Sequence, residues 1–280
     1  MTTTTGLSEK ATISADVQAE RVRTRIWLEE PEPDNRFAAR AAWCHGYDVY
    51  GEMVGRARWS EMIYLLFRGE APSAAEAALL DALAVGLANA GPRDPAVHAA
   101  MCGAVGGSTA ASCLMAALAV GAGHLGGARE VLLAMRTWQC CGMDLDAWQR
   151  QLAEPEPQLA SVWPAAEHPS GFDPHGVSRT TIVSQVLARL AAAGAGPRLG
   201  WLIANAAPLE RAARRPISMS GIAAAALADL GFTPEQGEML YLLLRLPGAA
   251  AHALEQAEFG HKTFPFFGIE LVDDPAGRGP

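Results

Sequence analysis

The chain is short of lysine, of paired cysteines and of long apolar runs, and each shortage closes off a class of function. Lys10 and Lys262 are its two lysines, and 30 acids against 22 bases leave a formal charge of −8. Nucleic-acid binding needs clustered Lys and Arg, so it is not expected. Any anion site must instead be built from Arg, His or helix N-termini. The five cysteines, Cys44, Cys102, Cys113, Cys140 and Cys141, contain no CxxC pair, so no zinc knuckle and no metal site is expected. Adjacent Cys140 and Cys141 read as two reduced thiols on a helix rather than a strained vicinal disulfide. No apolar run reaches the ~18 residues of a membrane helix, because Gly, Arg, Asp or Glu interrupts each one. The segment MTTTTGLSEK lacks a signal-peptide core. The expectation is a soluble cytoplasmic protein with no membrane partner.

What the chain has in quantity is alanine and leucine. Half of its 280 residues are hydrophobic, enough for one large domain or a large and a small one. Residues 1–23 are polar and read as a flexible arm. TRIWLEE (24–30) has strand-like composition, PEPDN (31–35) is a turn, and from Arg36 onward the chain reads as helices. WSEMIYLLFRG (59–69) presents a broad apolar helical face, with Gly69 expected to end it at C′. PSAAEAALLDALAVGLANAG opens with a capping-box signature, Ser73 followed three residues later by Glu76. VHAAMCGAVGGSTAASCLMAALAVGAGHLGG holds two helices with small-residue faces, and EVLLAMRTWQCCG is another amphipathic helix. The proline-rich stretch 152–170 is a loop. Helices then run from Thr180 to Ala193 and over 201–215, 217–231 and 233–258, with Pro247 expected to break or kink the last. An irregular aromatic tail, GHKTFPFFGIEL, follows.

Five stretches in series carry a family resemblance. GYDVYGEMVGRARWSEMIYLLFRGEAPSAAEAALLDAL resembles the N-terminal helices of citrate synthase-like proteins, the short citryl-CoA lyase-like members above all. GHLGGARE resembles their GPLHGGANE segment, and SGFDPHGVSRT their PGFGHPVHK. ARRPISMSGIAAAALADLGFTPE resembles the segment carrying NVDGA and a long helix. YLLLRLPGAAAHALEQ resembles ARxxGxxAHxxEE. The resemblance spans residues ~24–270 with almost ungapped spacing. It implies an all-α homodimer with at most a short N-terminal strand. Residues 24–125 and 222–280 would form a large dimerising domain, and 126–221 a small domain closing over the cleft. It implies chemistry on an acyl-CoA thioester and a carboxylate-bearing oxo-acid, with coenzyme A entering as substrate and no cofactor needed.

That chemistry asks for a base and two carbonyl-polarising donors. In the family an aspartate and two histidines serve, with arginines gripping carboxylates. Carried over position by position, the histidine slots fall on Ala90, Leu125 and Pro174, the aspartate slot on Ser220, and one arginine slot near Val183. Gly126, Gly127, Gly171, Gly221, Arg245 and His252 are retained. His124 and His175 each lie one residue from a lost histidine slot. Each is either a displaced donor or an ordinary polar residue at a turn. Asp173 is a candidate replacement base. Ser220 can donate a hydrogen bond, join a nucleophile–base pair, or simply start a helix.

Arg245, set in LLLRLPG, needs an anion, either a bound carboxylate or an internal acid. Arg179 is the one base left in the loop that lies near CoA in the family. His98 is a core or cavity residue, and His261 with Lys262 falls near a segment that the resemblance places at the partner's site. Three functions follow: carbon–carbon bond formation or cleavage on an acyl-CoA, a catalytically silent carboxylate or CoA-ester binder, and acyl-CoA hydrolysis.

Overall fold

The computed structural model describes residues 22–153, 168–265, 267–270 and 272. The expected arm lies outside these but for residues 22 and 23, and so does most of the proline-rich loop. The chain divides into two compact units, residues 1–57 and 58–280.

The first unit departs from the helical expectation. Strands β1 (Trp27–Pro31), β2 (Ala39–Cys44) and β3 (Tyr47–Asp48) form an antiparallel sheet in the order β1-β2-β3. ARAAWC reads as helix by its alanines, yet it pairs along β1 from Trp27↔Cys44 to Pro31↔Ala39. Tertiary pairing overrides propensity here. His45 and Gly46, both at positive φ (48° and 89°), make the two-residue turn into β3. One π-helical turn, Val49–Met53, follows, with the Asp48 carboxylate accepting from the Gly51 amide at 2.8 Å.

The second unit is helical, as expected. Its first helices are α1 (Trp59–Arg68), α2 (Ala74–Leu87), α3 (Pro95–Val105), α4 (Ala110–Gly121) and α5 (Ala128–Cys141). Then come α6 (Leu145–Ala153), α7 (Thr181–Ala191), α8 (Arg198–Ala213), α9 (Met219–Asp229) and α10 (Pro234–Phe259). The boundary signals act as read. Gly69 caps α1 in the left-handed region at φ 77°, and the Ser73/Glu76 capping box opens α2.

Helix α9 is the centre of the core. Residues Ile222 to Leu227 are fully buried on every side, and their small side chains let α5 and α10 approach closely. Beside it, Trp138, Trp148 and Trp201 form an edge-to-face cluster with centroids 4.8 and 5.5 Å apart from the Trp138 ring.

Pro247 does not break α10. It lacks an N–H, and the next amide leaves the helix ladder: Gly248 N–H donates to the Ala88 carbonyl at the end of α2, at 2.7 Å. A neighbouring helix therefore satisfies the group that the proline disturbs. The approach requires glycine, since a Cβ at 248 would lie 2.6 Å from the Ala88 oxygen.

A second close approach positions the site. The loop at Gly171 lies against the start of α9, with Ser218 N–H donating to the Gly171 carbonyl at 3.0 Å and Asp173 N–H to that of Pro216 at 2.8 Å. Gly171 has φ 90°, and a Cβ on Gly221 would overlap the Gly171 oxygen. Gly221→Ala is expected to destabilise the helical unit by about 3 kcal/mol, as overpacking against a backbone that cannot shift does. Urea unfolding followed by tryptophan fluorescence measures it, with Gly200→Ala, where a Cβ meets open space, as the neutral control.

Candidate functional site

Two of the segments that carry the family resemblance, and the stretch between them, converge on one carboxylate. Glu130 lies in the first turn of α5, at the third helical position after the N-cap Gly127. Gly127 has no side chain to cap the helix, and Glu130 reaches back so that its Oε1 accepts from the Gly126 amide at 2.8 Å. The donor lies one residue before the N-cap, and the positive end of the helix favours the charge. The side chain is turned inward and buried, only 3% exposed.

Two further donors meet it there. His168, at the end of the proline-rich stretch, places Nε2 2.9 Å from Oε1. Ser220, in the first turn of α9, donates from Oγ to Oε2 at 2.9 Å. His168 and Ser220 are as buried as Glu130, at 6% and 5% exposure. Ser218, the N-cap of α9, lies 2.7 Å from Ser220 Oγ and accepts from the Gly221 amide at 3.3 Å. A carboxylate with three donors and no solvent is satisfied without a lysine or arginine partner.

Of the sequence candidates, only Ser220 enters this cluster. Asp173 is half-buried and closes a turn, its Oδ1 accepting from the His175 amide at 2.9 Å. The His175 side chain is exposed. His124 is half-buried in the turn between α4 and α5, and no hydrogen bond joins it to His175 among the described residues. Glu130 and His168 went unread. The Glu130 signal was its spacing after two glycines, but burial is not legible from spacing. His168 lies in a stretch that reads as mere loop.

Arg245 has an internal acid. It pairs with Asp94, the N-cap of α3, and its guanidinium lies 4.9 Å from the Tyr241 ring centroid. Burial pushes the Tyr241 phenol up, Arg245 opposes this, and the charges of Glu130 and Asp94 add to it. The cavity beside the pair holds about 20 Å³, room for one water. His98 stacks on Phe264 of the tail, centroids 5.9 Å apart. His261 and Lys262 are exposed on a 3-10 turn.

Arg179 lines a different and larger space. An open cleft of about 540 Å³ is walled by Arg179, Glu210, Arg211, Arg214, Arg215 and Pro216 among others. Arg179 Nε lies 3.2 Å from Glu210 Oε1, but its N–H is not directed along the line, so the pair is electrostatic. Glu210 is also held by the Ile217 amide at 3.1 Å. The other three arginines have no ion-pair partner among the described residues. Arg214 ends α8 in the left-handed region at φ 54°, which turns the chain so that 214 and 215 both reach the cleft wall. A net-acidic chain thus gathers four of its arginines against one carboxylate.

No family model matches this chain, and no curated protein matches it. Solved structures do share its fold. One is citryl-CoA lyase from Hydrogenobacter thermophilus, with TM-score 0.70 and 19% identity over 92% of this chain and 97% of that one. ATP citrate lyase from Methanothrix soehngenii, solved with citrate and coenzyme A, gives TM-score 0.68 and 13% identity over 100% of this chain and 48% of that chain. ATP citrate lyase from Methanosaeta concilii, solved with (3S)-citryl-CoA, gives 0.66 and 13% over 91% and 43%. This chain spans under half the length of the two ATP citrate lyases. The fold is therefore the helical, citrate synthase-like fold of citryl-CoA lyase. Among the described residues no helix is long and apolar enough to cross a membrane.

If the Arg245–Asp94 pair is structural, removing one charge strands the other in a part-buried site. Arg245→Met is expected to cost about 3 kcal/mol and the double variant with Asp94→Asn less than the sum of the singles, a coupling of about 1–3 kcal/mol in a double-mutant cycle read by urea unfolding.

Proposed function

We propose that the chain is a citryl-CoA lyase-like protein that makes or breaks a carbon–carbon bond between an acyl-CoA, of acetyl-CoA type, and an oxo-acid. The observation that carries the reading is the four-arginine cleft beside the Gly171 loop. Its volume suits a nucleotide-sized ligand, and guanidinium forks suit phosphate oxygens. A CoA ester held there by its phosphates would have its acyl end free to reach toward the start of α9. The likeness to citryl-CoA lyase over nearly its whole length supports the same substrate class.

The protein works as a homodimer in this reading. Helices α4 and α10 leave Met115, Val120 and Leu254 exposed, with Met115 61% and Leu254 71% accessible, more apolar side chain than a lone monomer surface needs. A second reading, a silent binder of a carboxylate or CoA ester, is favoured by one observation: Arg245 is already paired with Asp94.

Mass spectrometry of purified protein incubated with citryl-CoA separates the readings. Acetyl-CoA and oxaloacetate are the expected products. In Arg214→Ala and Arg215→Ala, KM is expected to rise about 10–100-fold with kcat little changed, the loss of one charge-assisted contact to a bound phosphate. Free CoA with an intact acid chain would mark a hydrolase instead. No turnover, with citryl-CoA still raising the melting temperature, would mark the silent binder.

A further inference from the structure

We infer that Ser218, Ser220 and Glu130 form a proton relay that takes up the hydroxyl proton of the substrate, with Ser218 as its outer end. The inference rests on the lyase reading above. Its basis is the direction of the hydrogen bonds. Ser220 has one hydroxyl proton, and it points at Glu130 Oε2. The 2.7 Å contact between the two serines must then run from the Ser218 hydroxyl to Ser220 Oγ. Every donor in the line points inward, toward the carboxylate.

The outer end is open. Ser218 is half-buried where Ser220 and Glu130 are closed off. Its Oγ accepts from the Gly221 amide and, among the described residues, keeps one lone pair unused. It also lies two residues past Pro216, which lines the arginine cleft. Two residues of extended chain span about 7 Å. The cleft wall ends at Pro216, so in this proposal a ligand anchored there by its phosphates extends past Pro216 to bring its hydroxyl to Ser218 Oγ.

The inner end is built to hold charge. Glu130 Oε1 is fixed by the Gly126 amide and by His168 Nε2, which leaves Oε2 facing Ser220 alone among the described residues. His168 thus orients the acceptor and is not part of the line. The serines are also bound to the fold by main-chain contacts: the Gly171 carbonyl holds the Ser218 amide, so the hydroxyl row cannot drift from the loop.

In the cleavage direction the step balances as follows. The tertiary hydroxyl of the substrate gives its proton to Ser218 Oγ. Ser218 passes its own proton to Ser220 Oγ, and Ser220 passes its proton to Glu130 Oε2. The substrate oxygen forms the keto carbonyl as the carbon–carbon bond breaks. The bonding pair goes to the thioester enolate, whose carbon takes a proton from water. Glu130 returns its proton to water along the same row. A hydroxyl proton suits a serine-terminated line better than an α-carbon proton would, because oxygen-to-oxygen transfer along hydrogen bonds needs no carbanion.

The test is steady-state citryl-CoA cleavage by the full chain with Glu130→Gln, Ser220→Ala and Ser218→Ala, each checked for a native melting transition. The relay predicts kcat lowered at least 100-fold in each with KM within about threefold, a solvent deuterium effect that changes with the loss of the row, and partial rescue of kcat when Ser220→Asp is added to Glu130→Gln. A merely structural network predicts lower melting temperatures with kcat and the isotope effect unmoved, and folded variants of that kind would overturn the relay while leaving the lyase reading intact. Should Glu130→Gln fail to fold, Ser218→Ala, at the solvent end, decides alone. A wild-type protein inert toward citryl-CoA overturns the lyase reading itself, and the relay with it.

Discussion

The turn before α5, the segment at residue 168 and the start of α9 are held together by one buried carboxylate. Glu130 cannot be left without donors at its depth, because a desolvated charge with no partners costs several kcal/mol. The three donors it has come from three separate stretches of chain: the turn before α5, the segment at residue 168, and the first turn of α9. Satisfying Glu130 therefore fixes where those stretches lie relative to one another. The glycine pair Gly171 and Gly221 then becomes a requirement, since only residues without a Cβ let the loop lie as close to α9 as that arrangement demands.

The same constraint shapes the chemistry available. The residue types expected at the cleft are replaced by smaller or displaced ones, but the interior has not lost its carboxylate. Glu130 is buried and hydrogen-bonded through Ser220 to the half-buried Ser218. The basic side chains are kept apart from it. The arginines cluster at the end of α8 and on the loop before α7, where a left-handed turn at Arg214 presents neighbouring guanidiniums together. Positive charge at the cleft and negative charge in the interior are joined by the short run from Arg214 to Ser220.

Much of the helical fold is legible in the letters, because its boundaries rest on local chemistry. Ser73 with Glu76, and Gly69, each satisfy end groups of the helix they border. The N-terminal sheet is legible only in its first strand, which TRIWLEE announces. ARAAWC has helical composition, and only its pairing with β1 makes it a strand. Pro247 misleads for a related reason: the rescue of the displaced amide comes from another helix, which local rules cannot see. In the site, Ser220 is found through the family slot it occupies. Glu130 and His168 are missed because their importance lies in burial and mutual approach, over 38 residues of separation. Asp94 as the partner of Arg245 is hidden by a still longer separation, 151 residues.

The joint between α10 and α2 has an implication for how this fold can vary. Its bond runs from the Gly248 amide to the Ala88 carbonyl, main chain to main chain. The carbonyl side is indifferent to which side chain sits at 88, while the amide side admits no Cβ at 248. Drift in sequence would leave one half of the contact free and the other frozen. Related chains could then differ everywhere around this crossing and still keep a lone glycine after a proline, a fixed point with no visible counterpart in the sequence it touches.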